Sequence, residues 1–305
     1  MPLMFAWLRD VEIETPSRAP LKAPRHASTH GPGGASIGLL RSALLSALLL
    51  ALPHGAFAQS LSLYGAGSLQ VAMGEVVSTF SQTTGIAVTT TFGPSGLLRE
   101  RIERGERPDL FASADLGHPA RLAAQGLLGT QVVFARNRLC VVGKPAVRLR
   151  PEALLELLLD PTVRVGTSTP KLDPSGDYTW AMFQRAETLR PGSFAALDRK
   201  ALQVVGGPTN SQPVGGKGAV AVVFLRDAID LYIGYCTSAQ QTATEVPGLT
   251  VVDIPDTLNV PAEYGLTVLT GAQPQAADLA AFILSLRGQA VLSRYGFAAG
   301  GGSGK

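Results

Sequence analysis

The sequence predicts an α/β protein whose folded part, residues 59–297, is split into two lobes around a ligand cleft. Three observations carry this expectation. From residue 61 onward short β-rich runs alternate with longer helical ones, the signature of a mostly parallel sheet with crossover helices. Near residues 131–142 two strand-like runs follow one another directly, and a second α/β set begins after them. A Gly-rich run after residue 297 has too little apolar surface to pack.

The elements follow in order. Residues 1–36 are rich in Pro, Gly, His and Arg without a sustained period. Arg41 then precedes an apolar run at 43–52, Pro53 breaks it, and Ala56-Phe57-Ala58 supplies the small-x-small pattern that signal peptidase reads. That run is about ten residues, short of the ~20 a helix needs to cross a bilayer. Residues 1–58 are therefore expected to be a leader and signal peptide, cleaved after Ala58.

Beyond the leader, residues 61–64 read as a strand and 70–83 as a helix, 86–91 and 96–104 repeat the pair, and 109–113 is a third strand with a helix near 118–125. Strands at 131–135 and 138–142 flank a polar Arg136-Asn137. The second set has a helix at 152–159, a strand at 163–166, a helix from Thr179, a helix at 219–226, and strands at 229–235 and 266–269. Helices at 276–286 and 288–295 precede the tail. The chain is expected to cross between lobes near Val142 and return near Tyr264. Lobe 1 then comprises residues 59–142 and 264–297, lobe 2 residues 143–263, and 298–305 a disordered tail.

The leader holds five of the 26 Lys and Arg and three of the 23 Asp and Glu, leaving 21 against 20 in the mature part. That near-neutral balance, with no basic stripe or aromatic platform, argues against a nucleic-acid partner. An anion would have to be held by local dipoles. Export would place Cys140 and Cys236 in an oxidising compartment. A disulfide between them is expected from export and the even count, and two small buried hydrophobes are the alternative.

Three loops share one design, a Ser beside Gly between a strand and a helix. They are Gly65-Ala66-Gly67-Ser68, Gly93-Pro94-Ser95-Gly96 and Asp173-Pro174-Ser175-Gly176. A helix start offers unpaired N–H groups and the positive end of the dipole, so it can hold an anion without a cationic side chain. Ser is also a favoured N-cap, so one such loop says little; three at the carboxyl ends of strands point to a site.

Other chemistries fit poorly. Gln70 stands where a dinucleotide fingerprint needs its third glycine, no phosphate-binding P-loop occurs, and neither Ser68 nor Ser95 sits in a G-x-S-x-G elbow. His118 is the one histidine after the leader and, with Pro119, reads as a surface helix start. One His and two separated Cys give no transition-metal ligand set. Asp109 and Asp115 read as caps or salt-bridge partners. An enzyme would have to use Asp173 or Asp177 as its base, so none is expected.

Tyr64-Gly65-Ala66-Gly67-Ser68-Leu69, Phe92-Gly93-Pro94-Ser95-Gly96-Leu97, Arg107-Pro108-Asp109-Leu110-Phe111-Ala112-Ser113-Ala114-Asp115, Asp173-Pro174-Ser175-Gly176-Asp177-Tyr178, Ile233-Gly234-Tyr235 and Arg294-Tyr295-Gly296-Phe297 occur in this order. From about residue 61 to 297 the chain resembles the periplasmic molybdate-binding proteins. The resemblance implies a class II periplasmic binding fold, hinged around its ligand, and a monomer in the periplasm. It would capture molybdate or tungstate, without a cofactor, and deliver it to the membrane permease of an ABC importer. It also implies a ligand set, acting on the oxyanion and not on a metal ion directly. That set is the hydroxyl and N–H of Ser68 and of Ser95, the N–H of Ser175, an N–H near Lys217 and the phenol of Tyr235. Here Pro94 removes one N–H, Ser175 replaces a smaller residue, and Lys217 stands where an aliphatic residue is usual. Lys217 has two readings, a solvated side chain or an added cationic contact. The implied shell is all donors, which disfavours hydrogen phosphate. Sulfate, chromate and an organic anion stay open, as does an enzyme acting on a small anion.

Overall fold

The computed structural model describes residues 60–301, Ser211 excepted. The expected leader, the cleavage after Ala58 and residues 302–305 lie outside the described residues.

The apolar run β1 (Leu61–Ala66) lies between β2 (Val88–Gly93) and β3 (Leu110–Ser113), parallel to both. Parallel neighbours need crossovers, and α1 (Gln70–Thr84) and α2 (Ser95–Glu103) supply them. Ala72, Met73, Val76, Val77 and Phe80 recur at the three-and-four spacing of an amphipathic helix, which seats α1 on the core around Leu61 and Leu63. After α3 (Gly117–Ala124) come β4 (Val132–Asn137) and, much later, β10 (Ala262–Val268) and β11 (Ala298–Ala299). The first sheet has the order β11-β4-β10-β3-β1-β2, with β10 antiparallel to β3 and β4.

A second sheet is built from β5 (Leu139–Gly143), β6 (Val165–Ser168), β7 (Leu202–Val205), β8 (Leu231–Tyr235) and β9 (Thr250–Asp253), in the order β7-β6-β8-β5-β9. Here β6 runs parallel to β7 and β8, and β5 antiparallel to β8 and β9. Its helices are α4 (Leu154–Leu159), α5 (Pro174–Leu189), α6 (Ser193–Lys200), α7 (Ala219–Leu225) and α8 (Cys236–Glu245). After β10 come α9 (Ala276–Leu284) and α10 (Leu286–Arg294), both packed on α1 of the first lobe.

The two-lobed α/β expectation matches this architecture; its boundaries shift. The strand at 139–143 pairs with β8 and β9, so the chain crosses at Arg138, earlier than the expected Val142. It returns before Ala262, where β10 joins the first sheet, earlier than Tyr264. Asn259 ties the two passages together, accepting the Leu139 N–H at 3.2 Å and donating to its carbonyl at 2.9 Å. The tail is also corrected at its start. Ala298 and Ala299 pair with Arg136 and Ala135, because strand pairing needs backbone groups and not apolar side chains. The helix expected from Thr179 begins at Pro174, with Asp173 as its N-cap and proline at its first position. Cys140 and Cys236 form a disulfide that joins β5 to the start of α8.

Candidate functional site

The carboxyl ends of the parallel strands of both sheets converge on one cavity of about 210 Å³. Ser68, Ser95 and Ala114 line it from the first lobe, and Asp173, Ser175, Tyr232, Tyr235, Ala219 and Glu245 from the second. Among the described residues no Lys, Arg or His lines it.

In the first lobe, β1 runs into a 3-10 turn, Gly67–Leu69, that carries Ser68. Its hydroxyl lies 2.9 Å from that of Tyr264. Ser95 opens α2 behind Pro94 and is fully buried. The Ser95 Oγ accepts the Ala114 N–H at 3.1 Å, a bond that leaves the hydroxyl proton available to a ligand.

In the second lobe, the Asp173 carboxyl caps α5. Its Oδ1 accepts the Ser175 N–H at 3.1 Å and its Oδ2 the Ser168 hydroxyl at 2.6 Å. The Ser175 N–H, expected to face a ligand, is therefore spent on the cap. The Ser175 hydroxyl takes its place as the available donor. It is buried without a hydrogen-bond partner at good geometry, and the Tyr232 phenol is its neighbour. The Tyr235 phenol reaches back across the cleft to the Ala114 carbonyl, at a long 3.4 Å.

Two of the hydrogen bonds that join the lobes lie beside the cavity. One is that Tyr235 bond; the other is the Gly96 N–H, which donates to the Leu172 carbonyl at 2.8 Å. Glycine is required at this position by space. A Cβ there would lie 2.6 Å from the carbonyl oxygens of both Lys171 and Leu172.

Lys217 does not line the cavity. Its N–H bonds the Val214 carbonyl at 3.0 Å and closes a tight turn through Gly215 and Gly216, both at positive φ. Its ammonium donates to the Glu245 carbonyl at 2.8 Å, where it complements the C-terminal dipole of α8. The next N–H, that of Gly218, is held by the Glu245 carboxylate at 2.7 Å. Lys217 is half-buried, and its ammonium serves the end of α8 and not the cavity wall. The implied shell is all donors, and the acidic residues Asp173 and Glu245 also stand in the wall.

Burial pushes the phenols of Tyr232, Tyr235 and Tyr264 above their ordinary range, so all three are donors at neutral pH. Burial also pushes Asp173 up, against the opposing bonds from Ser168 and Ser175. His118 begins α3 as expected, but it is buried and not on the surface. Burial holds it below the usual histidine value, with Asp115 opposing. Asp109 accepts the N–H groups of Ser62 and Gln273, and Asp115 accepts the Ser113 hydroxyl, so both hold local structure.

Sequence reasoning brought together Ser68, Ser95, Ser175 and Tyr235, and missed Tyr232, Ser238, Gln241, Thr242 and Glu245. The last four lie on α8, a Thr- and Gln-rich segment with no marked apolar period.

The sequence profile of the bacterial extracellular solute-binding proteins matches residues 61–298. An uncharacterised protein of Pasteurella multocida is 41% identical over 194 residues, covering 63% of this chain and 80% of its own length. The molybdate-binding protein ModA of Mycobacterium tuberculosis is 27% identical over 255 residues, covering 79% and 85%. Among solved structures, the sulfate-binding protein SubI of the same organism superimposes with a TM-score of 0.65 at 18% identity, over 79% of this chain and 86% of its own.

Proposed function

The chain belongs to the bacterial extracellular solute-binding proteins, and from that premise we propose that its interlobe cavity captures a small tetrahedral oxyanion for the permease of an ABC importer. Molybdate and tungstate are the first solutes to test, since ModA is named for molybdate. The reading includes a periplasmic location and no cofactor.

One observation carries the proposal. Ser68 and Ser95 from one lobe and Tyr235 from the other line a cavity in whose wall no Lys, Arg or His stands among the described residues. Neutral donors suffice for an anion when enough of them converge away from water, each contributing about 1.5–3 kcal/mol. A ligand touching both lobes also favours their closed arrangement through contacts the open one lacks.

Calorimetric titration against molybdate, tungstate, sulfate, chromate and phosphate tests this. Binding of at least one oxyanion, weakened about tenfold to a hundredfold by Ser95→Ala, is the expected result. Full affinity in both Ser68→Ala and Ser95→Ala would refute it. A second reading keeps the cavity and changes the solute to an organic anion. Phe92, Val205 and Pro213 favour it, since they give the wall an apolar side.

A further inference from the structure

The interlobe cavity is larger than a bare oxyanion and is polarised along one helix. A single water needs about 10–15 Å³ of such space, so the five heavy atoms of a tetraoxyanion fill roughly 50–75 Å³ of the 210 Å³. Much of the remainder runs along α8. Ser238, Gln241, Thr242 and Glu245 line the cavity at the three-and-four spacing of one helix face. Tyr235, at the proposed anion end, is the N-cap of that helix, and Glu245 is its last residue, about 15 Å of helix away. Ser68, Gln241 and Glu245 also line an adjoining groove of about 570 Å³.

The two ends of α8 differ in charge. The positive end of the helix dipole lies at Tyr235, and the negative end lies with the Glu245 carboxylate. The Glu245 oxygens accept the Gly218 N–H and the Gln241 amide, both at 2.7 Å. Gly218 and Gln241 stand in the wall themselves, and a Cβ at Gly218 would lie 3.4 Å from Oε2 and 3.7 Å from Oε1. A carboxylate offers about four acceptor positions, so acceptor capacity remains. Lys217 gives its ammonium to the Glu245 main-chain carbonyl and makes no ion pair with the carboxylate. Asp173, the other acid of the wall, commits its oxygens to Ser168 and the Ser175 N–H. Among the described residues no cation lines the cavity to meet the Glu245 charge.

We propose that the solute of this cavity is a zwitterion, a sulfonate or phosphonate whose short alkyl tail carries an ammonium group to Glu245. The tetrahedral head takes the donors of Ser68, Ser95 and Tyr235, and the tail follows the polar face of α8. A bare dianion meets the Glu245 charge as a repulsion and leaves much of the cavity unfilled. An ammonium group there makes a charge-assisted hydrogen bond. This inference rests on the oxyanion reading above and takes the oxyanion as one end of the solute.

The purified protein is titrated calorimetrically at neutral pH with aminoethanesulfonate, aminopropanesulfonate and aminoethylphosphonate. Their counterparts without the amine, and sulfate and molybdate, are titrated beside them. At least one amino compound should bind about tenfold to a hundredfold more tightly than its alkyl counterpart, and more tightly than sulfate or molybdate. Glu245→Gln keeps an acceptor for the Gly218 N–H and removes the charge. It should lose the preference for the amine and bind sulfate more tightly, because a like charge leaves the wall.

Alkyl and amino compounds binding the parent alike, or molybdate binding more tightly than every amino compound, overturns the inference and leaves the oxyanion reading standing. So does retention of the amine preference in Glu245→Gln. A preference lost together with sulfate affinity shows that Glu245 only braces the wall, and overturns its role as the ammonium's partner. Binding of none of these anions overturns both readings. The parent's choice between amino and alkyl compounds decides the solute class even if the variant does not fold.

Discussion

Gly96→Ala should weaken ligand binding without weakening the fold. The added Cβ would sit 2.6 Å from two backbone oxygens, those of Lys171 and Leu172, and neither can rotate away. Gly96 belongs to the first lobe and both oxygens to the second, so the least costly relief is to separate the lobes. Separation breaks the Gly96 to Leu172 bond and the Tyr235 to Ala114 bond. Overpacking of this kind costs about 1–3 kcal/mol, which becomes a fivefold to hundredfold loss of affinity at about 1.4 kcal/mol per decade. Within α2 itself, replacing glycine by alanine stabilises the helix by up to about 1 kcal/mol. Calorimetry should therefore show the loss while the melting temperature without ligand stays level or rises. An unchanged affinity would show that this contact plays no part in closure. A collapsed melting temperature would place the damage inside the first lobe.

Lys217→Ala should leave oxyanion affinity within about twofold, since the side chain serves the end of α8; a tenfold loss in the same titration would return Lys217 to the site. Reducing the Cys140 to Cys236 disulfide, which spans 96 residues, removes a cross-link of a kind that contributes about 2–4 kcal/mol. At about 2–4 °C per kcal/mol, melting with and without reductant should differ by about 4–16 °C, and coincident melts would contradict this. Asp230 is held well below the usual carboxylate range, first by its bond to Arg164 and also by Lys144. Its depressed folded value means that the stabilisation is present above about pH 4 and is lost as pH falls through the folded value. Asp230→Asn should therefore melt below the parent at pH 7, with the gap narrowing as pH falls below about 4, and a gap that stays constant from pH 7 to pH 2 would refute the assignment.

The alternation of strands and helices was legible because each element buries one face, and Ala72, Val76 and Phe80 mark such a face in α1. Lobe membership was not, because β5 is as apolar as a first-lobe strand and only its distant partners β8 and β9 assign it. Ser68, Ser95, Ser175 and Tyr235 were legible as cavity residues, the serines from their strand-to-helix junctions and Tyr235 from the family pattern. The reading of Ser175 went astray at its N–H. Asp173-Pro174 is a cap followed by a first-turn proline, and that signal, applied, removes the N–H from the ligand's reach. Lys217 looked unusual in sequence, yet its partner Glu245 lies on a helix that composition did not announce.

The central claim is that one oxyanion sits between the lobes, and anomalous diffraction locates it most directly. Crystals grown with tungstate, or with arsenate as its protonated counterpart, should show one strong anomalous peak within hydrogen-bond reach, through its oxygens, of Ser68, Ser95 and Tyr235. A peak on the outer surface, or none at concentrations that saturate binding in solution, would contradict the account.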